Sequence, residues 1–205
     1  MNGQIEFWFD FSSNYSYLSA MRIESAAAGR GVGVTWVPFL LGPIFASFGW
    51  STSPFVLQKE KGAYVWRDME RQCARHGIAF KRPSEFPRSA TLPMRIAAAH
   101  ADRDWMPAFC KAIMSMNFEH DRAVNGVEPS ESVLRFLGVD ARQVMTEAES
   151  EAGRSALRRN TTEAQIRRIF GAPMFFAGTE MFWGNDRLED ALESASLREL
   201  REDER

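Results

Sequence analysis

The chain has 205 residues, of which 45% are hydrophobic and 25% are charged, and its formal net charge at pH 7 is -2. This length predicts one compact domain, or one domain that carries a large insertion. The near-neutral charge argues against a nucleic-acid partner and against a polybasic membrane surface, and no apolar run reaches the length of a membrane span. The chain opens on a strand pattern and not on a signal peptide, so we expect a cytoplasmic protein.

The first part of the chain follows a strand–helix–strand pattern. Residues 5–11 are predicted to form a short aromatic strand, residues 14–29 a helix that stops near a glycine, and residues 33–39 a second strand. A connection of this kind predicts that the two strands pair in parallel through a right-handed crossover.

The middle of the chain is predicted to be helical, and strands return near its end. Helical patterns cover residues 56–76, 89–101, 104–120, 130–137, 140–149 and 151–169. Residues 174–177 and 180–183 are predicted to form two strands that a tight glycine turn joins. Asn185 is predicted to cap a last helix.

These patterns predict an α/β protein with a thioredoxin-like fold, in which a large all-helical insertion separates a βαβ half from a ββα half. The thioredoxin-like domain is predicted to be discontinuous, over residues 1–54 and 166–205, and the insertion covers residues 55–165. In the redox members of this fold the first helix starts with Cys-x-x-Cys, whereas Ser13 and Ser16 stand at those positions here. Because disulfide exchange needs a thiolate, we expect no such activity at this site.

The cysteines and histidines show no metal-binding pattern. Cys73 and Cys110 lie in predicted helices and are interpreted as buried thiols that act as small apolar residues. The histidines are predicted to lie at the surface or at helix ends; they are His76, His100 and His120. We therefore expect no metal site.

Five segments match a known family in their order along the chain. They are residues 9–17 (Phe-Asp-Phe-Ser-Ser-Asn-Tyr-Ser-Tyr), 38–42, 61–64, 170–173 and 181–188. Through these segments, which span nearly the whole chain, the sequence resembles the 2-hydroxychromene-2-carboxylate isomerases and the kappa-class glutathione transferases. Both belong to the thioredoxin-like, disulfide-oxidoreductase-related superfamily. The resemblance implies glutathione as the cofactor and a homodimer as the assembly.

The resemblance implies that Ser13 acts on glutathione and is the catalytic residue. A hydroxyl that donates a hydrogen bond to sulfur favours the thiolate over the thiol, and the positive end of the following helix adds to this effect. Serine is also a common helix cap, so Ser13 could have that role alone. Ser16, one turn into the helix, is interpreted as a packing residue.

The resemblance implies further glutathione contacts from two segments near the end of the chain. It implies that Ala172-Pro173 is a cis peptide and that the Ala172 backbone pairs with the peptide backbone of glutathione; the alternative is a trans proline that starts a strand. The next segment is expected to hold the γ-glutamyl carboxylate and ammonium, or only to cap its helix. Its residues are Trp183, Gly184, Asn185 and Asp186.

Lys61 matches a family lysine that reaches the glycyl carboxylate of glutathione, although a lysine on a charged helix is usually solvated. Aromatic residues around the family's acceptor pocket are Phe45, Trp50 and Tyr64. An aromatic wall would suit a planar aromatic substrate, but for each single residue an ordinary core position is the preferred interpretation.

The chain departs from the family pattern at three positions. Asn14 and Trp50 stand where the family usually has proline and asparagine, and no lysine lies near residues 45–46, where some isomerases hold the substrate carboxylate. Arg82 and Arg88, in the proline-rich loop 81–89, are the predicted substitutes for that lysine.

The leading hypothesis is a glutathione-dependent isomerase of 2-hydroxychromene-2-carboxylate-type aromatic 2-oxo acids, which works by cis/trans isomerisation through a transient thiolate adduct. One alternative is a kappa-like glutathione transferase that conjugates or reduces small electrophiles. Another is a non-catalytic module that binds glutathione or a peptide.

Overall fold

The computed structural model describes the backbone of residues 3–203 and the side chains of residues 3–197. In this part of the chain the strands are β1 (Gln4–Phe9), β2 (Gly33–Pro38), β3 (Met174–Ala177) and β4 (Glu180–Trp183). The helices are α1 (Asn14–Ala28), α2 (Leu41–Ser47), α3 (Pro54–Leu57), α4 (Lys59–His76), α5 (Thr91–Ala99), α6 (Met106–Phe118), α7 (Val127–Phe136), α8 (Ala141–Glu149), α9 (Glu151–Ile166) and α10 (Leu188–Asp203). A single 3-10 turn, Asn185–Arg187, precedes α10. Residues 1–2 and 204–205, which the predicted domain bounds included, lie outside the described residues.

The strands form one mixed sheet in the order β2-β1-β3-β4. β1 pairs in parallel with β2, whereas β3 pairs antiparallel with both β1 and β4. This topology confirms the predicted thioredoxin-like fold, with its strand–helix–strand start and its hairpin near the end. Helices α3 to α9 come between β2 and β3 along the chain, in the stretch that was predicted to be helical.

The central strand β1 is covered on both faces. Phe7 stacks on Phe9 and on Phe175, with ring centroids 5.0 and 5.5 Å apart. Trp8 points the other way and packs edge-on against Phe39 and Phe176. A strand that is buried on both faces needs apolar side chains on both of them. This is why the aromatic residues of β1 follow one another directly and do not alternate with polar ones. Packing on both faces fixes the position of β1, and therefore also the position of the polar residues that follow it.

Helix α2 was not predicted from the sequence. Gly42 and Pro43 lie in its first turn, where proline is tolerated because its missing N–H would be unpaired anyway. The predicted helix over residues 56–76 is also divided, since Gln58 separates α3 from α4. Both differences involve short helices, α2 and α3, which contain too few residues to show a recognisable apolar repeat.

The cysteines and histidines lie largely as expected. Cys73 and Cys110 are free and buried, as predicted. His100 ends α5, but it is buried and not at the surface, and its Nε2 lies 2.9 Å from the Glu147 carboxylate. Among the described residues, no group of histidine, cysteine and acidic side chains could hold a metal ion. No helix in that part of the chain is long and apolar enough to cross a membrane.

Candidate functional site

A cavity of about 1060 Å³ opens beyond the carboxyl end of β1. Four parts of the chain line it: the start of α1, the α2–α4 segment, the loop before α5, and the two sides of the β3–β4 hairpin. Nearly all of the predicted site residues reach its wall, and these are Ser13, Phe45, Trp50, Lys61, Tyr64, Arg88, Ala172, Pro173, Trp183, Gly184, Asn185 and Asp186. The fold thus brings together residues from both ends of the chain.

Ser13 caps α1 and also contacts the segment before β3 in the cavity wall. Its Oγ accepts a hydrogen bond from the Ser16 N–H at 3.2 Å, which is the ordinary N-cap bond. The same hydroxyl donates to the carbonyl oxygen of Ala172 at 3.0 Å. The capping role is therefore present in the structure, and the hydroxyl hydrogen is held at the cavity wall.

A buried carboxylate, Asp10, organises the backbone that leads to Ser13. Asp10 is 5% exposed, and it accepts hydrogen bonds from the N–H and hydroxyl of Ser12 and from the N–H of Leu41. Burial raises the pKa of this carboxyl, while the hydrogen bonds from Leu41 and Ser12 act in the opposite direction. Asp10 thus joins the end of β1 to the start of α2. The sequence analysis did not select it, although an acidic residue between Phe9 and Phe11 was a usable signal.

The Ala172-Pro173 peptide is cis, which confirms the prediction. Pro173 is buried and Ala172 is half-buried at the cavity wall. The carbonyl oxygen of Pro173 accepts a hydrogen bond from the Gly184 N–H at 3.0 Å. This bond joins the segment before β3 to the segment after β4, so the two sides of the hairpin enter the site together.

The segment after β4 differs from its prediction at Asn185. Asn185 was expected to cap the last helix, but its Oδ1 accepts hydrogen bonds from the Ser19 hydroxyl and the Arg22 guanidinium of α1, at 3.2 and 2.9 Å. The 3-10 turn instead begins after Gly184, whose φ of +105° favours glycine. Asn185 is 5% exposed and ties this turn to α1, whereas the neighbouring Asp186 is exposed at the cavity rim.

Helix α4 reaches the cavity because Gly62 lets it lie against α3. A Cβ at Gly62 would come 2.1 Å from the carbonyl oxygen of Phe55. This close contact places Lys61 beside Phe55, with its Nζ 5.9 Å from the ring centroid. Lys61 is exposed, and among the described side chains no carboxylate forms an ion pair with it. Its ammonium is available to an anion in the cavity.

Tyr15 and Asp68 form a second polar contact in the wall that sequence reasoning missed. The Tyr15 hydroxyl donates to the Asp68 carboxylate at 2.7 Å, and both residues line the cavity. Burial, followed by this hydrogen bond, raises the pKa of Tyr15 well above its ordinary value. The phenol is therefore a neutral donor, and it links α1 to α4. No local pattern indicated a pair 53 residues apart.

The two predicted substitutes for the missing lysine have different positions. Arg88 lines the cavity and is buried, but its guanidinium donates to the Asn117 side chain at 3.1 Å and to the Asp121 carboxylate at 2.5 Å. Arg82 does not belong to the cavity wall. Its guanidinium instead lies over the ring of Trp66, 5.3 Å from the centroid, because this exposed cation stacks on an aromatic face.

One side of the cavity is aromatic, although a core position was the preferred interpretation for each of its aromatic residues. Phe45 and Trp50 contact each other with ring centroids 5.7 Å apart. Trp50 is 37% exposed and Tyr64 is 62% exposed, so neither belongs to the core. This part of the wall could accept a flat apolar molecule without a change in the core.

The chain is similar to known proteins in both sequence and structure. The family described as the DSBA-like thioredoxin domain matches residues 4–195. A 2-hydroxychromene-2-carboxylate isomerase from Sphingobium xenophagum is 32% identical, over 96% of this chain and 100% of its own length. The solved structure of a 2-hydroxychromene-2-carboxylate isomerase matches with a TM-score of 0.82 and 26% identity, over 98% of this chain and 97% of that one.

A more distant solved structure shares the fold alone. The cytosolic disulfide reductase DsbM from Pseudomonas aeruginosa matches with a TM-score of 0.66 and 14% identity, over 97% of this chain and 98% of that one. The family match and the relative at 32% identity are decisive. The chain belongs to the DSBA-like thioredoxin domain family and, within it, to the family of the 2-hydroxychromene-2-carboxylate isomerases.

Proposed function

We propose that this protein is a glutathione-dependent isomerase that interconverts the cis and trans forms of 2-hydroxychromene-2-carboxylate-type aromatic 2-oxo acids. The observation that carries the proposal is the position of Ser13. Its hydroxyl lies at the N-terminus of α1, in the wall of a large cavity, and contacts the backbone of Ala172 in the same wall. The membership of the isomerase family supports the same reaction class.

The residues around Ser13 fit the three polar regions of glutathione. The half-buried Ala172 backbone suits the cysteinyl peptide unit. Lys61, whose ammonium has no carboxylate partner among the described side chains, suits the glycyl carboxylate. The exposed carboxylate of Asp186 suits the γ-glutamyl ammonium. The Asn185 side chain is already bonded to α1, so its contribution is to position the turn.

Glutathione, when bound, would supply a sulfur nucleophile that turns a conjugated double bond of the substrate into a single bond for as long as rotation requires. The Ser13 hydroxyl would donate to the sulfur and thereby lower the pKa of the thiol. The N-terminal end of α1 would favour the same negative charge. Serine performs this role without forming a mixed disulfide, which a cysteine at this position would do.

The aromatic wall would hold the substrate ring. Trp50 and Tyr64 offer partly exposed faces on the side of the cavity that α2 to α4 form. Of the two predicted substitutes for the missing lysine, Arg88 alone lines the cavity, and we assign it the substrate carboxylate. Its two terminal nitrogens are bonded to Ser84, Asn117, Asp121 and the Arg122 carbonyl, which leaves the Nε–H for the substrate.

The test follows the absorbance of the chromene acid with and without glutathione, while free thiol is counted in the same samples. Isomerisation that requires glutathione and leaves the thiol count unchanged is the expected result. Loss of thiol in step with substrate would support the transferase alternative. Saturable glutathione binding without conversion of any conjugated 2-oxo acid would exclude the isomerase.

Two further proposals concern the location, which was predicted from the start of the sequence, and the assembly, which the family resemblance implies. We propose that the protein works in the cytoplasm, where glutathione is reduced, and that it forms a homodimer. Light scattering of the purified protein tests the assembly, with a mass of twice 23.3 kDa as the expected result. A monomer mass at micromolar concentration would contradict it.

A further inference from the structure

The start of α1 carries a buried amide group without a hydrogen-bond partner. Asn14 follows Ser13 directly, is the first residue of α1, lines the cavity, and is 1% exposed. Its Oδ1 accepts a hydrogen bond from the Tyr15 N–H at 3.0 Å. Its Nδ2 is buried and bonds to no described residue.

The orientation of this amide is fixed by its neighbour. The Tyr15 N–H can only donate, so the oxygen of the Asn14 amide must face it, and the NH₂ group is the end without a partner. Buried donors are almost always paired in folded proteins, and an unpaired one is unfavourable. Ser16 Oγ is the other such atom in the described part of the chain, but Ser16 does not line the cavity. Asn14 is thus the residue of the cavity wall that carries an unpaired donor.

We propose that the Asn14 amide donates a hydrogen bond to the sulfur of bound glutathione, as a second donor beside Ser13. The inference rests on the proposed function. The single hydroxyl hydrogen of Ser13 is already donated to Ala172, so it must leave that carbonyl to reach a ligand. The Asn14 amide gives up no bond when it donates. A donor directed at the charged form of the ligand favours the thiolate, and the thiol proton leaves to solvent.

Two variants remove the donor in different ways. Asn14→Pro places proline at the first helical position, where its fixed φ and missing N–H are tolerated. Asn14→Asp keeps the shape and the acceptor for Tyr15, replaces the donor with a carboxylate oxygen, and adds a negative charge that suits a helix start. Asn160→Asp is the matched control, because the Asn160 amide donates to the Pro38 carbonyl at 2.9 Å and lies outside the cavity wall.

The experiment titrates the ultraviolet absorbance of the thiolate at saturating glutathione, after circular dichroism has shown that each variant is folded. We expect the apparent pKa of the bound thiol to rise by about one unit in Asn14→Pro, as for the loss of one hydrogen bond to a charged group. Asn14→Asp should raise it further, and Asn160→Asp should leave it unchanged.

An unchanged thiol pKa in both folded Asn14 variants overturns the proposal. An unchanged pKa together with a raised KM for the aromatic acid also overturns it, because the donor would then serve a substrate oxygen. The failure of the proposed function gives a different result, namely that the wild-type protein binds no glutathione or leaves its thiol pKa unchanged. If Ser13→Ala raises the thiol pKa and the Asn14 variants do not, the proposed function stands and this inference alone fails.

Discussion

The two sides of the cavity are built differently. The inner wall, which we define as Asp10, Ser13, Asn14, Ala172 and Pro173, consists of buried or half-buried residues at the ends of β1 and β3. The outer wall, which we define as Phe45, Trp50 and Tyr64, belongs to α2, to the loop between α2 and α3 and to α4, and it is half-buried or exposed. The residues of the inner wall are joined by hydrogen bonds, whereas those of the outer wall are joined by contacts of aromatic rings.

This difference follows from burial. A buried polar group without a partner is unfavourable, so the order of the inner wall is set mainly by directional bonds such as those to Asp10. Ring contacts tolerate several geometries, so the outer wall can adapt to the molecule that it covers. We infer that the inner wall determines the chemistry at sulfur and that the outer wall determines the substrate. Three predictions, at Ser13, at Trp50 and at the two cysteines, test this division, and two others test the contacts of Lys61 and of Asp121.

The largest effect is expected from Ser13→Ala. The variant loses the donor to sulfur, and the glutathione-dependent rate should fall roughly a hundredfold, as when a single donor to a developing charge is removed. The lost N-cap bond should also lower the free energy of unfolding by about 1 kcal/mol. Steady-state kinetics and urea unfolding measure the two effects.

Ser16→Ala is the control for Ser13. The Ser16 hydroxyl is buried, has no partner among the described residues and does not line the cavity, so its removal should leave the rate unchanged. If the two variants lost activity equally, packing at the start of α1 would explain the result and the inner wall would have no chemical role.

The next effect is expected from Lys61→Ala. Removing the ammonium should raise the KM for glutathione about tenfold with little change in kcat, because the contact is the same in the ground state and the transition state. Lys59→Ala is the matched control, since Lys59 lies on the same helix but does not line the cavity. Equal effects in both variants would mean that the general charge of α4 matters, and not a contact from Lys61.

The outer wall itself is tested by Trp50→Ala. The loss of one aromatic face should raise the KM for the aromatic acid by roughly three- to tenfold, and the glutathione KM should not change. Phe136→Ala is the control, because Phe136 is 87% exposed and lies outside the cavity. A change in the glutathione KM for Trp50→Ala would contradict the division between the two walls.

A stability effect with a defined pH window is expected from Asp121→Asn. Hydrogen bonds from the Ser84 N–H and the Arg88 guanidinium hold the pKa of Asp121 well below its usual range. A lowered pKa in the folded state means that this carboxylate stabilises the protein above its ordinary pKa of about 3.9, and that the stabilisation is lost as the pH falls.

Urea unfolding from neutral to acidic pH measures this effect. The wild type should exceed Asp121→Asn in stability at neutral pH, and the difference should shrink as the solution becomes acidic. Substitution of the exposed Asp104 by asparagine is the control. A pH-independent difference would show that Asp121 does not hold Arg88 through its charge.

The sequence predicted the strands beside the inner wall better than the short helices beside the outer wall, for physical reasons. Ser13, Ala172 and Pro173 were named through the family resemblance, and they lie beside β1 and β3, whose predicted ends fall within two residues of the observed ones. The helix-cap role predicted for Asn185 was wrong, because its partners Ser19 and Arg22 lie far away along the chain. Local patterns indicate which residues could cap a helix, but they do not show a competing tertiary partner.

The structure around the outer wall was harder to predict, because several of its features leave no pattern in the local sequence. Helix α2 was missed because it is short and begins with glycine and proline. The pairing of Tyr15 with Asp68 and that of Arg88 with Asp121 join segments that only the folded chain brings together. Arg82 and Arg88 were indistinguishable in sequence, and burial alone separates the exposed residue from the one in the wall.

The smallest effect is expected when both cysteines are removed. Burial raises the pKa of Cys73 to about 12, and it raises that of the buried Cys110 well above its usual range. Thiolate is the reactive form, so neither thiol should serve as a nucleophile at neutral pH. The double variant Cys73→Ala, Cys110→Ala should lower the thermal midpoint slightly, because two small cavities form, and it should keep the full glutathione-dependent rate.

The folded wild type should also fail to reduce insulin. Its two cysteines should react with iodoacetamide far more slowly than the thiol of free glutathione does. Loss of the rate in a folded double variant would show that the protein itself supplies sulfur chemistry. The inner wall would then not depend on a thiol from solution, and the division of roles between the two walls would have to be abandoned.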